Sequence, residues 1–204
     1  MRKIKNKISR LLKSGISVLY TGGVWSFLKA LLLFLFRYEK LIIFQMNLKG
    51  ELNSVKSDLP LTIRKATPND LKQLQIGEYK YQMEMHRDVV DGVKDAFVAF
   101  SEGKFAHIVW VYYSGDPNRF INLKPGEAEI KFGVTPEQFR GHNVYPKVVE
   151  FICHYLKEKN YERLYGFVVK DNLASMRGLK KVGFKVTGTE TFLKLFGFQI
   201  SSRI

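Results

Sequence analysis

The stretch from Gly126 to Phe184 constrains the fold more than any other part of the chain. "GEAEIKFGVTP" alternates Ala128, Ile130, Phe132 and Val134 with Glu127, Glu129, Lys131 and Gly133, the period-two pattern of a strand with one buried face. "YPKVVEFICHYLKEKN" follows as an amphipathic helix, "YERLYGFVVK" as a strand and "NLASMRGLKKVG" as a second helix. A strand–helix–strand order calls for parallel strands, because the helix carries the chain back to the starting edge.

The flanking sequence extends this alternation. "LTIRKAT" reads as a strand, and "PNDLKQLQI" opens a helix with Thr67 at the N-cap and Pro68 at the first helical position. "RDVVDGVKDAFVAFSEG" has helical spacing and stops at Gly103, while "KFAHIVWVYYSG" is a strand closed by a "GDPN" turn. "FKVTGT" and "ETFLKLFGFQI" read as paired terminal strands. The expected class is α/β (mixed α+β), a central sheet with parallel and antiparallel pairs flanked by helices. Cys153 is the only cysteine, which excludes an intrachain disulfide and a thiolate metal site and suits a reducing, cytoplasmic interior. Beside Phe151, Ile152 and Tyr155 it is expected as a small core residue. His86, His107, His142 and His154 lack metal-ligand spacing, so no metal is expected.

The N-terminal quarter differs in character. Residues 1–59 hold 11 Lys/Arg against 3 acids, whereas residues 60–204 hold 22 against 16, an asymmetry that points to an acidic partner surface. "MRKIKNKISRLLK" places Ile4, Ile8, Leu11 and Leu12 on one face of a basic amphipathic helix, and residues 14–36 carry a single charge, Lys29. Gly22-Gly23 and Lys29 argue against a membrane span. So does the excess of positive charge at the N-terminus, which would export everything downstream. Two short in-plane helices on an anionic membrane surface are expected for residues 1–36, with packing on the main domain or spanning as alternatives. Nucleic acid is disfavoured as a partner, because the lysines alternate with an apolar stripe rather than with stacking aromatics. "YEKLIIFQMNL" reads as a strand and "KGELNSVKSD" as a polar linker, giving an appendage over 1–58 and a main domain over 59–204. Nothing in the chain specifies an oligomer.

Two blocks of the main domain resemble the GNAT (GCN5-related) N-acetyltransferases. "GVTPEQFRGHNVYPKVV" is similar to the family's strand ending in V-x-P-E-x-R-G-x-G-x-G/A before a helix, and "VVKDNLASMRGLKKVGF" to its N-x-x-S-x-x-x-x-x-K-x-G-F. The resemblance spans about residues 60–200. It implies acetyl-CoA as cosubstrate, a small-molecule amine as acceptor and a pyrophosphate held at the turn after Val134 by the backbone of Arg140, Gly141, His142, Asn143, Val144 and Tyr145. A helix N-terminus suits that role, since its amides are unpaired and its dipole end is positive. The R-x-x-G-x-G pattern falls on Arg140, Asn143 and Tyr145, so both late glycines are replaced. Asn143 is expected to tolerate a left-handed backbone, and the Tyr145 side chain must point away from the phosphates. Asn172 is expected to cap the second helix and meet the pantetheine arm, with Ser175 bracing it. Gly183 is expected to end that helix and Phe184 to enter the core.

Acetyl transfer requires a base for the amine, an oxyanion stabiliser and a proton for the leaving thiolate. Glu129 is the leading base candidate, on the strand face opposite Ile130 and Phe132, and Glu127 is the second; a solvated carboxylate is the alternative for each. Where the family often carries a proton-donating tyrosine, this chain has Leu179, with Tyr112, Tyr113 or Tyr165 as substitutes. Tyr79, Tyr81, Met83 and Met85 are candidates to line an acceptor pocket. The expected function is therefore N-acetyl transfer from acetyl-CoA to a small amine, an amino sugar being one class, near a membrane surface. The alternative is a non-catalytic CoA-binding or membrane-recruitment module of the same fold.

Overall fold

The computed structural model describes residues 36–79, 82–117, 120–195 and 198–203. The expected interfacial helices of residues 1–36 lie outside them, apart from Phe36, which opens a strand. No described helix is long and apolar enough to cross a membrane. Residues 42–188 form one compact unit, and the described residues of 36–41 and 189–203 belong to another.

In the first unit β2 (Thr62–Lys65), β3 (Asp95–Ser101), β4 (Lys104–Tyr113), β5 (Glu127–Val134) and β6 (Arg163–Val169) lie side by side in that order. The end of β1 (Phe36–Asn47) lies beyond β6. Pairs β2/β3, β3/β4 and β4/β5 are antiparallel, and β5/β6 is parallel. Helix α1 (Pro68–Ile76) begins as its sequence requires: the Thr67 hydroxyl accepts from the Asp70 amide at 3.2 Å, and the Asp70 carboxylate accepts from the Thr67 amide at 2.7 Å. Arg64 donates to the same carboxylate at 2.8 Å and holds it well below the usual carboxylate range.

The segment expected to be helical to Gly103 divides instead. Only α2 (Arg87–Val90) is helical, and residues 95–101 form β3. Gly92 turns the chain with φ +72°, and Glu102 (φ +51°) with Gly103 (φ +76°) makes the two-residue left-handed reversal that a hairpin requires. Ser101 then pairs with Lys104. The run "AFVAFS" is buried on both faces, so it shows no alternation to separate strand from helix.

The sheet carries a core on each face. On one, α3 (Val144–Glu158) and α4 (Leu173–Val182) bury Val148, Val149, Ile152, Leu156, Leu179 and Val182 against Phe97, Val109, Val111, Ala128 and Ile130. Cys153 is part of this core, and burial pushes its thiol up to about 12. On the other face Met85, Val93, Val98, Ile108, Trp110 and Tyr112 pack together with Leu74 of α1. Residues 49–58, read as a linker, pack within this unit as well, with Val55 in the first core beside Leu48.

In the second unit, the C-terminal part of β7 (Lys185–Leu195) pairs antiparallel with β8 (Phe198–Arg203), Leu195 facing Phe198. The expected break between "FKVTGT" and "ETFLKLFGFQI" is absent, and β7 runs through it. A lone glycine, Gly188, weakens a strand without reversing it.

Candidate functional site

Strands β5 and β6 stop pairing before either ends. Their parallel pairing runs from Glu127 opposite Arg163 to Ile130 opposite Gly166, although β5 continues to Val134 and β6 to Val169. On the other edge of β5, Ile108 faces Val134 while Trp110 faces Lys131, so β5 spends three residues where β4 spends two. Phe132 absorbs the extra residue with φ +56°, a bulge that re-aims the strand beside the opening.

The turn after β5 runs from Thr135 into α3. Gly141 (φ +86°) and Asn143 (φ +57°, ψ +23°) are left-handed, so Asn143 performs the glycine role its chemistry allows. No side chain caps the helix N-terminus. The Asn143 side chain turns outward, its Oδ1 accepting from Lys181 of α4 at 2.5 Å, and Arg140 Nε donates to the Thr135 carbonyl at 3.1 Å. Arg140, Lys147 and Lys181 bring cationic groups to the turn, Lys147 paired with Glu150 at 2.7 Å, and the first helical turn contains no acid.

Tyr145 points into the fold. Its ring lies 5.5 Å from that of His107 and beside Gly133 and Gly178, where added Cβ atoms would come within 3.6 Å of Tyr145 Cε2 and 2.8 Å of Cδ1. A tyrosine replaces a small residue of the turn, and two glycines on β5 and α4 supply its space. Gly178→Ala is expected to cost about 1–3 kcal/mol through overpacking. In a Tyr145→Leu background the same change becomes neutral or stabilising, because alanine is intrinsically favoured in helices. Denaturant unfolding of the four variants checks the change of sign.

Beyond β6 the chain enters α4. Asn172 caps that helix, its Oδ1 accepting from the Ser175 amide at 3.1 Å. Gly183 ends it in a left-handed cap (φ +106°), and Phe184 is buried. Leu179 is fully buried, its Cδ1 lying where a Cβ on Gly166 would approach to 3.0 Å.

The carboxylates of β5 depart from the expected half-solvated strand. Glu127, Glu129 and Lys131 are all buried. Glu127 is held by Arg163 at 2.8 Å, the Lys124 amide at 2.8 Å and the Tyr165 hydroxyl. Burial works against its charge, but these partners outweigh it and hold its carboxyl below the ordinary range. Glu129 lies opposite Tyr112 and accepts from the Phe120 amide at 2.9 Å and the Ile121 amide at 3.4 Å. Lys131 Nζ stands 3.1 Å from it, above the Tyr112 and Phe120 rings at 4.0 and 4.5 Å. Burial raises Glu129 above the ordinary carboxylate value, against Lys131 and the two amides, and lowers Lys131 against Glu129. The same face holds Arg87 over the Phe132 ring at 3.7 Å and Asp91, which accepts from Tyr112 at 2.7 Å.

All three substitute tyrosines donate to carboxylates: Tyr112 to Asp91, Tyr113 to Asp95 and Tyr165 to Glu127. Burial first, then these anions, raises each above the ordinary phenol value. Of the acceptor-pocket candidates, Met85 is core, Tyr79 packs on Phe105 at 5.0 Å, Met83 is exposed and Tyr81 lies outside the described residues. Among the described residues no group of three metal-binding side chains occurs. Sequence reasoning missed Lys131 as the partner of Glu129 and His107 as a neighbour of the turn. His107 is buried, its Nδ1 is 2.7 Å from Thr135 Oγ1, and burial lowers it to about 3. Its place in an otherwise apolar strand was the available signal.

The acetyltransferase (GNAT) domain family matches residues 61–185, and the chain belongs to that family. Solved structures share the fold at low identity. A putative GNAT acetyltransferase from Novosphingobium aromaticivorans superposes with TM-score 0.52 at 15% identity, covering 76% of this chain and 63% of its own. A GCN5-related N-acetyltransferase from Sphaerobacter thermophilus gives 0.55 at 10%, covering 89% and 57%. A glucosamine N-acetyltransferase region of a fungal multi-domain β-N-acetylglucosaminidase gives 0.55 at 12%, covering 80% and 22%. The chain thus spans less than two-thirds of the length of each. No curated protein matches the sequence.

Proposed function

We propose that this chain is an N-acetyltransferase that uses acetyl-CoA to acetylate a primary amine of a small molecule, an amino sugar being one such class. The observation that carries this reading is the convergence of an uncapped helix N-terminus, in a cationic surround, with the opening between β5 and β6. The residues fit the cosubstrate. The backbone amides of residues 141–145 and the α3 dipole suit a pyrophosphate. Left-handed Asn143 keeps its side chain on Lys181, clear of those amides, and the edges of β5 and β6 left unpaired beyond Ile130 and Gly166 suit an amide-bearing arm. Asn172 adds a side-chain amide at the start of α4.

When bound, acetyl-CoA supplies an activated acyl thioester. The chain orients it and manages protons. Glu129 is assigned as the group that takes the amine proton. Burial raises its basicity towards the range a general base needs at neutral pH, and Lys131 supports its charge on the face where Phe132 bulges. Glu127 is the weaker candidate, because Arg163 and the Lys124 amide hold it as a stable anion. With Leu179 buried against Gly166 and the three tyrosines donating to carboxylates, solvent would supply the proton that the leaving sulfur needs.

Leu179 also favours a second reading, a CoA-binding module without catalysis. Calorimetric titration of the full chain with acetyl-CoA, followed by assay of free thiol in the presence of amino sugars, separates the two. Binding with thiol release is expected. Binding without release under every amine supports the module, and no binding by folded protein defeats both. Residues 1–36 would hold the enzyme peripherally on the cytoplasmic face of an anionic membrane. Repeating the titration sample with anionic liposomes should show association that is lost at high salt.

A further inference from the structure

We propose that the irregular segment 53–58 is a strap that aims the phosphate-binding turn, with Ser57 and the Asp58 amide as positioning groups for acetyl-CoA. The inference rests on reading that turn as the cofactor site, and it adds residues N-terminal to the matched region 61–185.

The strap grips one atom of the turn twice. Ser57 Oγ donates to the His142 carbonyl at 3.0 Å, and the Asp58 amide donates to the same oxygen at 3.3 Å. Ser57 Oγ in turn accepts from the Leu59 amide at 3.2 Å, which orients the hydroxyl. Upstream, the amide of buried Val55 donates at 3.2 Å to Glu150 on α3, a buried carboxylate also held by Lys147 at 2.7 Å. The strap is therefore anchored to the helix whose N-terminus it adjusts.

The choice of carbonyl gives the contact its consequence. A trans peptide is planar, so the His142 carbonyl and the Asn143 amide point in opposite directions from one rigid plate. Gly141 and Asn143 on either side are both left-handed, a backbone that non-glycine residues hold only when the surroundings over-determine it. Pulling the carbonyl toward the strap aims the Asn143 N–H away from it, to the side where the uncapped α3 amides converge. Lys181 fixes the same residue through its side chain at 2.5 Å. A turn that lacks the usual late glycines is thus held in a glycine-like shape from outside.

The test uses the full chain and variants Ser57→Ala, Ser57→Thr and Asp58→Pro, the last removing the second donor and read against Asp58→Asn, because both lose the carboxylate 4.0 Å from His142 and only the proline loses the amide. Ser57→Ala is expected to raise both Kd and KM for acetyl-CoA by about 3- to 10-fold, the effect of one lost hydrogen bond. Its kcat at saturation and its KM for the amine should stay at wild-type values. Ser57→Thr should restore affinity, and Asp58→Pro should weaken it further. By reciprocity, acetyl-CoA should slow hydrogen exchange at the Asp58 amide in the wild type. Equal affinity in wild type and Ser57→Ala overturns the strap while leaving the cofactor site intact. A fall in kcat and melting temperature together with a rise in both KM values also overturns it, as a merely structural role. Failure of the wild type to bind acetyl-CoA defeats the cofactor reading itself, and the strap with it.

Discussion

Glu129→Gln is expected to lower kcat by about 10²- to 10⁴-fold, the usual contribution of a general base, with little change in the affinity for acetyl-CoA. The carboxylate lies on the opposite side of β5's bulge from the cofactor turn, so its charge is not part of the anion site. Glutamine keeps the volume and one acceptor for the Phe120 and Ile121 amides. It removes the carboxylate beside Lys131, but burial has already lowered that amine, and it can shed its proton to relieve the loss. The variant should therefore fold, with reduced stability. Turnover measured by thiol release, affinity by titration and integrity by melting separate the contributions. In the wild type the rate should fall with decreasing pH as Glu129 gains its proton, and that acidic limb should vanish in the variant. Wild-type turnover in Glu129→Gln would remove Glu129 from the mechanism and leave it as a pin for residues 120 and 121.

Local signals carried the site's framework. Thr67, Asn172 and Gly183 sit at helix ends because capping is decided by a few adjacent atoms, and Asn143 could be assigned a left-handed backbone from its own chemistry. What escaped sequence reasoning was decided at long range. Residues 95–101 are buried on both faces, and an unbroken apolar run has no period to read. On β5 the alternation of charge and hydrocarbon suggested a wet face. The partners that bury those charges come from elsewhere: Arg163 on β6, the Phe120 amide and the Tyr112 ring. Tyr145 could not be placed without Gly178, which is small for its sake. A glycine inside a helix pattern is itself a sign of close approach, and Gly133 inside a strand is another. The polar run 49–58 misled for a similar reason, because its partners lie far along the chain: the Val55 amide meets Glu150 and the Ser57 hydroxyl meets the His142 carbonyl.

Lys131→Met should cost about 3–5 kcal/mol of folding stability at neutral pH, the typical result of stripping one partner from a buried ion pair. The loss should depend on pH in a definite direction. Glu129 already sits above its ordinary 4.5 through burial, and Lys131 is the largest influence opposing that rise. Without the lysine the folded-state value climbs further. A carboxyl raised on folding binds its proton more tightly in the native state, so its contribution is fully present below the unfolded value and is lost as pH rises towards the folded one. Urea unfolding at about pH 5 and pH 8 should therefore show a small deficit in acid and a large one in base. Equal deficits would mean that Lys131 stabilises through its packing on the Tyr112 and Phe120 rings and not through its charge. Combining Lys131→Met with Glu129→Gln should recover most of the stability and flatten the pH dependence, since a pair removed together leaves no orphaned charge. Turnover should stay low in that double variant. Recovered stability without recovered turnover would separate what the buried pair does for the fold from what Glu129 does for the amine.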